Sequence, residues 1–226
     1  MQLYPKFSSD KNSMSLKVLQ TSSLAGIFLA ELRDVHQQGD RLRFRRNLER
    51  LGQIMAYEIS QTLPYKDIVV QTPLARASGV ELEASVVLVS ILRAGLPYFQ
   101  GFQSFFDVAD SGFIGAYRKE EQEIVIQLDY VAAPSLEGKT LILIDPMLAT
   151  GKSIVQSCQQ LLSHGTPTHI HIASRIAAPE GIAYIDQYLT SQHTLWTFSV
   201  DQRLDENSYI VPGLGDAGDL SFGNKQ

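Results

Sequence analysis

The chain has 226 residues, a formal net charge of −5 and 44% hydrophobic residues, enough for one large domain or two small ones with a substantial core. One cysteine, Cys158, excludes an internal disulfide and a cysteine-rich zinc site, and no run of about 18 apolar residues marks a membrane span. The acidic balance argues against non-specific nucleic-acid binding, and a polar N-terminus without an apolar signal core leaves the cytoplasm as the expected compartment.

Residues 1–20 read as a polar arm. Ser22 or Ser23 caps a predicted helix from Leu24 to Gln38 that Gly39 ends. Asp40 caps a second helix to about Gln61, with Leu48, Leu51, Met55 and Ile59 on one face. The basic cluster Arg41, Arg43, Arg45 and Arg46 reads as a solvated or subunit-facing surface. Ile68–Val70 is a short strand, and Val86–Val89 is a continuous apolar run, the mark of a strand covered on both faces. Phe113–Tyr117 and Glu123–Tyr130 flank a turn-like RKEEQ and predict a hairpin. Strands at Thr140–Ile144, His169–Ser174 and Leu195–Val200 alternate with helices at Ser153–Ser163 and Pro179–Tyr188, and an irregular, glycine-rich tail follows. This alternation predicts an α/β fold, a parallel sheet flanked by helices. No repeat or linker divides the chain, so residues 1–226 are expected to form a single domain.

In such sheets ligands bind beyond the carboxyl ends of the strands, and three segments fall there. The first is LILIDPMLATGKS, Leu141–Ser153. An apolar strand ends in Asp145, and a loop of small residues leads into a helix. The unpaired amides of a helix start, with its dipole, suit a phosphate. A plain strand–turn–helix is the competing reading of this segment alone. A nucleoside-triphosphate loop is disfavoured, because the glycine it requires five residues before the closing Gly-Lys is here Pro146, which has no N–H. The second is Ser90–Gly95. Arg93 between small and apolar residues at a strand end suits a phosphate, and equally suits a carboxylate partner. The third is the tail IVPGLGDAGD, whose glycines free backbone donors and acceptors to read a flat pyrimidine edge. Arg118 and Lys119 at the hairpin tip read as a mobile basic lid or as an ordinary charged turn. Cys158 reads as a packed small hydrophobe. His169 and His171 share a strand face, but no acid or cysteine is spaced to complete a metal site. Ser22 and Ser153 lack a nucleophile-elbow context.

Together ILRAG, the YR of GAYRKEE, DPMLATG, AAPEG and YIVPGLGDAGD resemble the uracil phosphoribosyltransferase family, in order and spacing, over roughly residues 70–224. The resemblance implies a type I phosphoribosyltransferase fold, with a small hood from parts of the N-terminal region and 201–224, and a β-hairpin arm. It implies transfer of phosphoribose from 5-phospho-α-D-ribose 1-diphosphate to N1 of uracil, giving UMP and diphosphate in pyrimidine salvage. Mg²⁺ is implied as a cofactor carried mainly by the donor, and a homo-oligomer, dimer or tetramer, as the assembly. By matched position Asp145 would hold the ribose hydroxyls, and Pro146, Met147, Leu148, Ala149, Thr150, Gly151, Lys152 and Ser153 would wrap the donor's 5-phosphate side. Arg93 and Arg118 would bind the diphosphate. Ile210, Gly215, Asp216 and Ala217 would contact uracil, with Asp216 also near the donor; Asp145, Arg93 and Asp216 are the implied catalytic set. The sequence departs from the family pattern at Ser90 (usually Pro), Pro97-Tyr98 (usually Gly-Met) and Lys152 (usually Gly). Two alternatives remain open on the residues: a non-catalytic relative that binds the same ligands, and an enzyme acting on another base. No Arg or Lys lies in the tail motif to pair an orotate carboxylate.

Overall fold

This computed structural model describes residues 14–120 and 124–224, with 116–120 and 124–129 as backbone only. In chain order the elements are β1 (Ser15–Val18), α1 (Leu24–Arg33), α2 (Arg41–Ser60), β2 (Tyr65–Gln71), β3 (Arg76–Leu82), β4 (Val86–Leu92), α3 (Gly95–Gln103), β5 (Asp110–Glu120), β6 (Ile124–Ala132), β7 (Thr140–Ile144), β8 (Met147–Leu148), α4 (Lys152–Leu161), β9 (His169–Ala173), β10 (Ile176–Ala177), α5 (Pro179–Tyr188), β11 (His193–Thr197), β12 (Ser199–Val200), β13 (Arg203–Leu204), β14 (Ile210–Val211) and α6 (Ala217–Phe222).

A seven-stranded sheet runs in the order β1-β11-β9-β7-β4-β5-β6. All its pairings are parallel except β5–β6. Alternation along the central strands builds two cores. Val86, Leu88, Ile142, Ile144, Ala173 and Trp196 face one side, where α1, α2 and α3 contribute Leu29, Leu48, Leu51, Met55, Phe99 and Phe102. Val87, Val89, Leu141, Leu143, Ile172 and Leu195 face the other, against Ile154, Val155 and Cys158 of α4 and Ile182 and Ile185 of α5. The Val, Leu, Ile, Phe and Met side chains among these each stabilise the fold by about 1.5–3 kcal/mol when fully buried. That two-sided burial explains why the strands read as unbroken apolar runs. Cys158 is fully buried, and its burial pushes the thiol pKa up to about 12, so it packs as a hydrophobe.

Several expectations need correction. The arm assigned to residues 1–20 includes β1, which pairs in parallel with β11 from Ser15↔Thr194 to Val18↔Thr197, with Met14 buried beside it. Ser15-Leu16-Lys17-Val18 alternates polar and apolar residues over only four positions, too short a pattern to stand out; the strand forms because β11 would otherwise leave a row of unpaired backbone groups. The first helix ends at Arg33 rather than Gln38. Asp34 is extended (φ −75, ψ 116), and its carboxylate accepts from the His36 amide and the Gln37 side chain, which favours a turn over helix. Ser23 is its N-cap but makes no side-chain capping bond, whereas Asp40 caps α2 through the amides of Leu42 and Arg43. The tail contains β14 and α6. Helix α3 and the β2–β3 hairpin beyond Ile68–Val70 had no counterpart in the sequence reading.

Candidate active site

Strand β7 delivers Asp145 to the carboxyl edge of the sheet. The Asp145 amide still donates to the Ala173 carbonyl (3.2 Å), and its Oδ1 accepts from the Met147 amide (3.3 Å). Pro146 turns the chain, and its carbonyl accepts from the amides of Arg175 (3.1 Å) and Ile176 (3.4 Å). Met147 and Leu148 then form β8, pinned in parallel to β10. Gly151 follows with φ +77, and a Cβ there would lie 2.7 Å from the Gly181 carbonyl oxygen. Any other residue would be strained and crowded at this turn. Helix α4 begins at Lys152 with no side-chain cap, so the amides of its first turn are left to an outside acceptor. Lys152 and Ser153 are both half-buried at this start.

Beside it, β4 ends at Leu92, and a cis Leu92–Arg93 peptide leads into Arg93. The two strand ends are neighbours: Ser90 registers with Ile144. A Cβ on Gly95 would lie 2.5 Å from Ser90 Oγ and 3.2 Å from the Ile144 carbonyl oxygen. Arg93 Nη2 donates to Asp219 Oδ1 (2.9 Å) and to the Gly223 carbonyl (3.4 Å). The carboxylate partner considered for Arg93 is thus real, and it comes from α6. The backbone of Arg118 pairs with Ile126 in the β5–β6 hairpin; its side chain and those of the RKEEQ turn lie outside the described residues.

The tail supplies the third wall. Ile210 is buried in the β13–β14 pair, Val211–Pro212 is cis, and the chain bends through Gly213 (φ +55) and Gly215 (φ +89). Asp216 caps α6, with Oδ1 accepting from the amides of Gly218 (2.7 Å) and Asp219 (2.9 Å), and Ala217 is buried. A Cβ on Gly218 would sit 3.9 Å from Arg93 Nη2. Arg93, Asp216 and α6 are therefore brought together, next to the strand end that carries Asp145. A cleft of about 340 Å³ opens here between Gln38, Arg41, Gly215, Asp216 and Asp219.

These three walls lie within the part of the chain that matches known proteins. Residues 18–224 match the family model described as uracil phosphoribosyltransferase. The chain belongs to the uracil phosphoribosyltransferase family. A uracil phosphoribosyltransferase of Porphyromonas gingivalis is 48% identical over 205 residues, covering 90% of this chain and 95% of that protein. One of Methanothermobacter thermautotrophicus is 41% identical over 182 residues, covering 80% and 83%. A solved structure, the AQ2163 protein from Aquifex aeolicus, superposes with a TM-score of 0.83 at 30% identity over 92% of this chain and 98% of that one. The mostly parallel sheet flanked by helices is the α/β fold expected from the sequence, and it is shared with that solved structure.

Two of the three departures noted in the sequence, Ser90 and Pro97-Tyr98, lie beside the Arg93 turn. Ser90 and Tyr98 are fully buried, and neither hydroxyl has a partner among the described residues. Tyr98 instead packs edge-on against Phe102, with ring centroids 5.2 Å apart. Burial, slightly opposed by Arg175, pushes its pKa far up, so it stays neutral. Lys152 is the first residue of α4.

Sequence reasoning missed the residues that brace the tail loop from behind. Arg33 and Asp201 form a two-bond ion pair (2.7 and 2.7 Å) across 168 residues of sequence. Burial pushes the Asp201 carboxyl up, but bonds from Arg33, Ser199 and the Gly213 amide outweigh it and hold the pKa below the usual carboxylate range. Gln38 donates to the Leu214 carbonyl (3.2 Å) and Arg45 to the Ser221 carbonyl (2.8 Å). Arg175 is fully buried, with no partner for Nε, Nη1 or Nη2 among the described residues. Burial pushes its pKa down to about 9, with Tyr98 opposing, Arg33 adding to the fall and Asp145 and Asp201 opposing, so it is still a cation at neutral pH. The one available signal was Asp201 itself, an acid directly after an apolar strand, as Asp145 is.

Proposed function

We propose that the chain is a uracil phosphoribosyltransferase, with the donor bound across the carboxyl ends of β7 and β4 and uracil against the tail loop. The observation that carries this reading is the convergence of an uncapped helix start, an arginine turn and a main-chain-rich loop on one sheet edge. The 5-phosphate accepts from the amides around Thr150–Ser153 and from their hydroxyls; charge-assisted bonds of this kind stabilise by about 1.5–3 kcal/mol each. Asp145 accepts from the ribose hydroxyls and orients the anomeric carbon. Arg93 exchanges its Asp219 carboxylate, which stands where an anion belongs, for a diphosphate oxygen; Arg118 is assigned the same role from the sequence match. Backbone groups at Ile210, Gly215 and Ala217 read the uracil edge, and Asp216 fixes the start of α6 beside both substrates.

The reaction then needs little covalent help. Diphosphate leaves as the sugar becomes oxocarbenium-like, uracil N1 attacks from the opposite face, and the N1 proton passes to the departing diphosphate or to water, giving UMP. Orientation and anion stabilisation supply the rate, in keeping with a site of arginines and amides. Pro146 stands where a second strand-end acid would be, and no group of three or more His, Cys, Asp or Glu converges among the described residues. The donor set therefore fits a Mg²⁺ held mainly by diphosphate and water, with Asp145 the carboxylate at the strand end. When bound, the ion neutralises charge on the leaving diphosphate.

The same reading takes residues 1–226 as one domain, with its hood formed where 201–224 meets α1 and α2, in the cytoplasm and as a homo-oligomer. Support for self-association comes from the β2–β3 hairpin, whose Val69, Leu74 and Val80 are 69%, 96% and 65% exposed. No helix of the described residues is long and apolar enough to cross a membrane.

The test is a panel of free bases with radiolabelled donor and Mg²⁺. Uracil should give UMP well ahead of orotate and purines. Donor binding by calorimetry with no nucleotide formed from any base would instead establish a non-catalytic relative.

A further inference from the structure

A loop that reads a base through its main chain must be held to within about 0.5 Å, yet a glycine-rich loop has few side chains with which to brace itself. Here the bracing comes from elsewhere in the chain. Asp201 is 7% exposed and receives four hydrogen bonds. Arg33 Nη1 donates to Oδ2 and Nη2 to Oδ1, both at 2.7 Å, Ser199 Oγ donates to Oδ1 at 2.8 Å, and the Gly213 amide donates to Oδ2 at 2.9 Å. Arg33 Nη1 also donates to the Gly213 carbonyl at 3.1 Å. Gly213 is thus gripped at both its amide and its carbonyl by one ion pair, two residues before Gly215 and three before Asp216. Gln38 holds the next carbonyl, that of Leu214, at 3.2 Å. Behind the pair lies Arg175, within electrostatic reach of Arg33, Asp145 and Asp201. Loss of the Asp201 charge would leave Arg33 and Arg175 facing each other with too little negative charge between them.

We propose that Asp201 is a positioning residue for the base: clamped by Arg33, it fixes the Gly213 peptide and so the backbone donors and acceptors of residues 213–217. Asp201 does not touch the substrate; it acts through the loop. The inference rests on the reading of 210–217 as the base loop.

The test compares wild type with Asp201→Asn. The Michaelis constant for uracil should rise about 10- to 100-fold, the range expected for loss of a buried charge-assisted hydrogen bond. The constant for the phosphoribosyl donor should stay within about twofold, because the loops at Asp145 and Arg93 keep their own supports. Hydrogen exchange at Gly213–Gly215 should quicken, a readout that needs no turnover. Asp201→Asn combined with Arg175→Met should recover thermal stability, since the unpaired buried cation is gone, while the constant for uracil stays raised. If Asp201→Asn does not fold, Arg33→Lys, which keeps the charge and loses the fork, should show the same split at smaller amplitude. Unchanged uracil binding overturns the proposal, as does a double variant that regains uracil affinity together with stability, because the role is then structural. Wild type that takes another base refutes the function reading alone; the same split measured with that base, and the exchange rates, still decide the clamp.

Discussion

At the amino-terminal ends of β9 and β11, His169 Nε2 bonds Thr194 Oγ1 at 2.9 Å, and further along the same two strands Trp196 donates to His171 Nδ1 at 3.1 Å. These groups line a cavity of about 760 Å³ with Lys17, Thr140 and Glu83. At the carboxyl ends of the same sheet, the helix start at Lys152 is uncapped by any side chain and Arg93 is 40% exposed on a carboxylate it can exchange. The larger hollow is thus the one whose ring groups bond their neighbours across the strands, and the smaller cleft, lined by Asp216 and Asp219, lies beside the Arg93 turn. Volume is a poor guide to chemistry in this molecule; what matters is where hydrogen-bonding capacity is left over.

The sharpest way to break that contrast is Asp145→Asn. Turnover should fall about 100- to 1,000-fold, the usual effect of removing one preorganised polar group from a site, with the melting temperature little changed. Steady-state rates alongside thermal melts check it, and wild-type turnover would refute the site. Gly151→Ala should come next. The left-handed turn and the contact with the Gly181 carbonyl make it destabilising by about 1–3 kcal/mol, with donor affinity falling more than uracil affinity; calorimetry separates the two.

At the opposite end the expected effects are on stability. Burial holds the His169, His171 and His193 rings neutral, depressing each below 6.5 and taking His171 to about 3, with His169 adding repulsion on His171 and His193 on His169. Below the unfolded value near 6.5 the unfolded chain binds protons that the native rings refuse. Stability should therefore be full above pH 6.5 and fall as the pH drops toward 3, by about 1.4 kcal/mol per pH unit for His171 alone. Urea melts at stepped pH test this, and His171→Gln should flatten the slope. The smallest effect belongs to Thr194→Ala: a loss of about 0.5–1.5 kcal/mol from one hydrogen bond, with turnover unchanged within error. A large loss of turnover would mean that the two ends are coupled.

What the sequence made legible follows the same division. The strand Thr140–Ile144 and the helix Pro179–Tyr188 were bounded correctly, because an apolar run ending in Asp145 and a Pro at a helix start are local signals. The Asp145–Ser153 loop was readable for the same reason, its strand, acid, turn and helix start being contiguous. Helix α3 was missed because Gly95, Pro97 and Gly101 read as breakers, although Pro97 lies in the first turn, where a proline is tolerated, and Gly101 faces α2. β3 carries few apolar residues and is exposed at five of its seven positions beside β2, so it left no pattern. Arg33 and Asp201 meet only in three dimensions, and neither segment alone announces a partner.

Strand β1 has a further consequence. It covers the outer rim of β11 by parallel pairing along four residues, so a chain trimmed to begin at Leu19 would present that rim bare. Such a shortened protein should keep its chemistry at the far side of the molecule, yet stick to itself through the uncovered strand as concentration rises. Light scattering of the trimmed and full-length forms would register the difference.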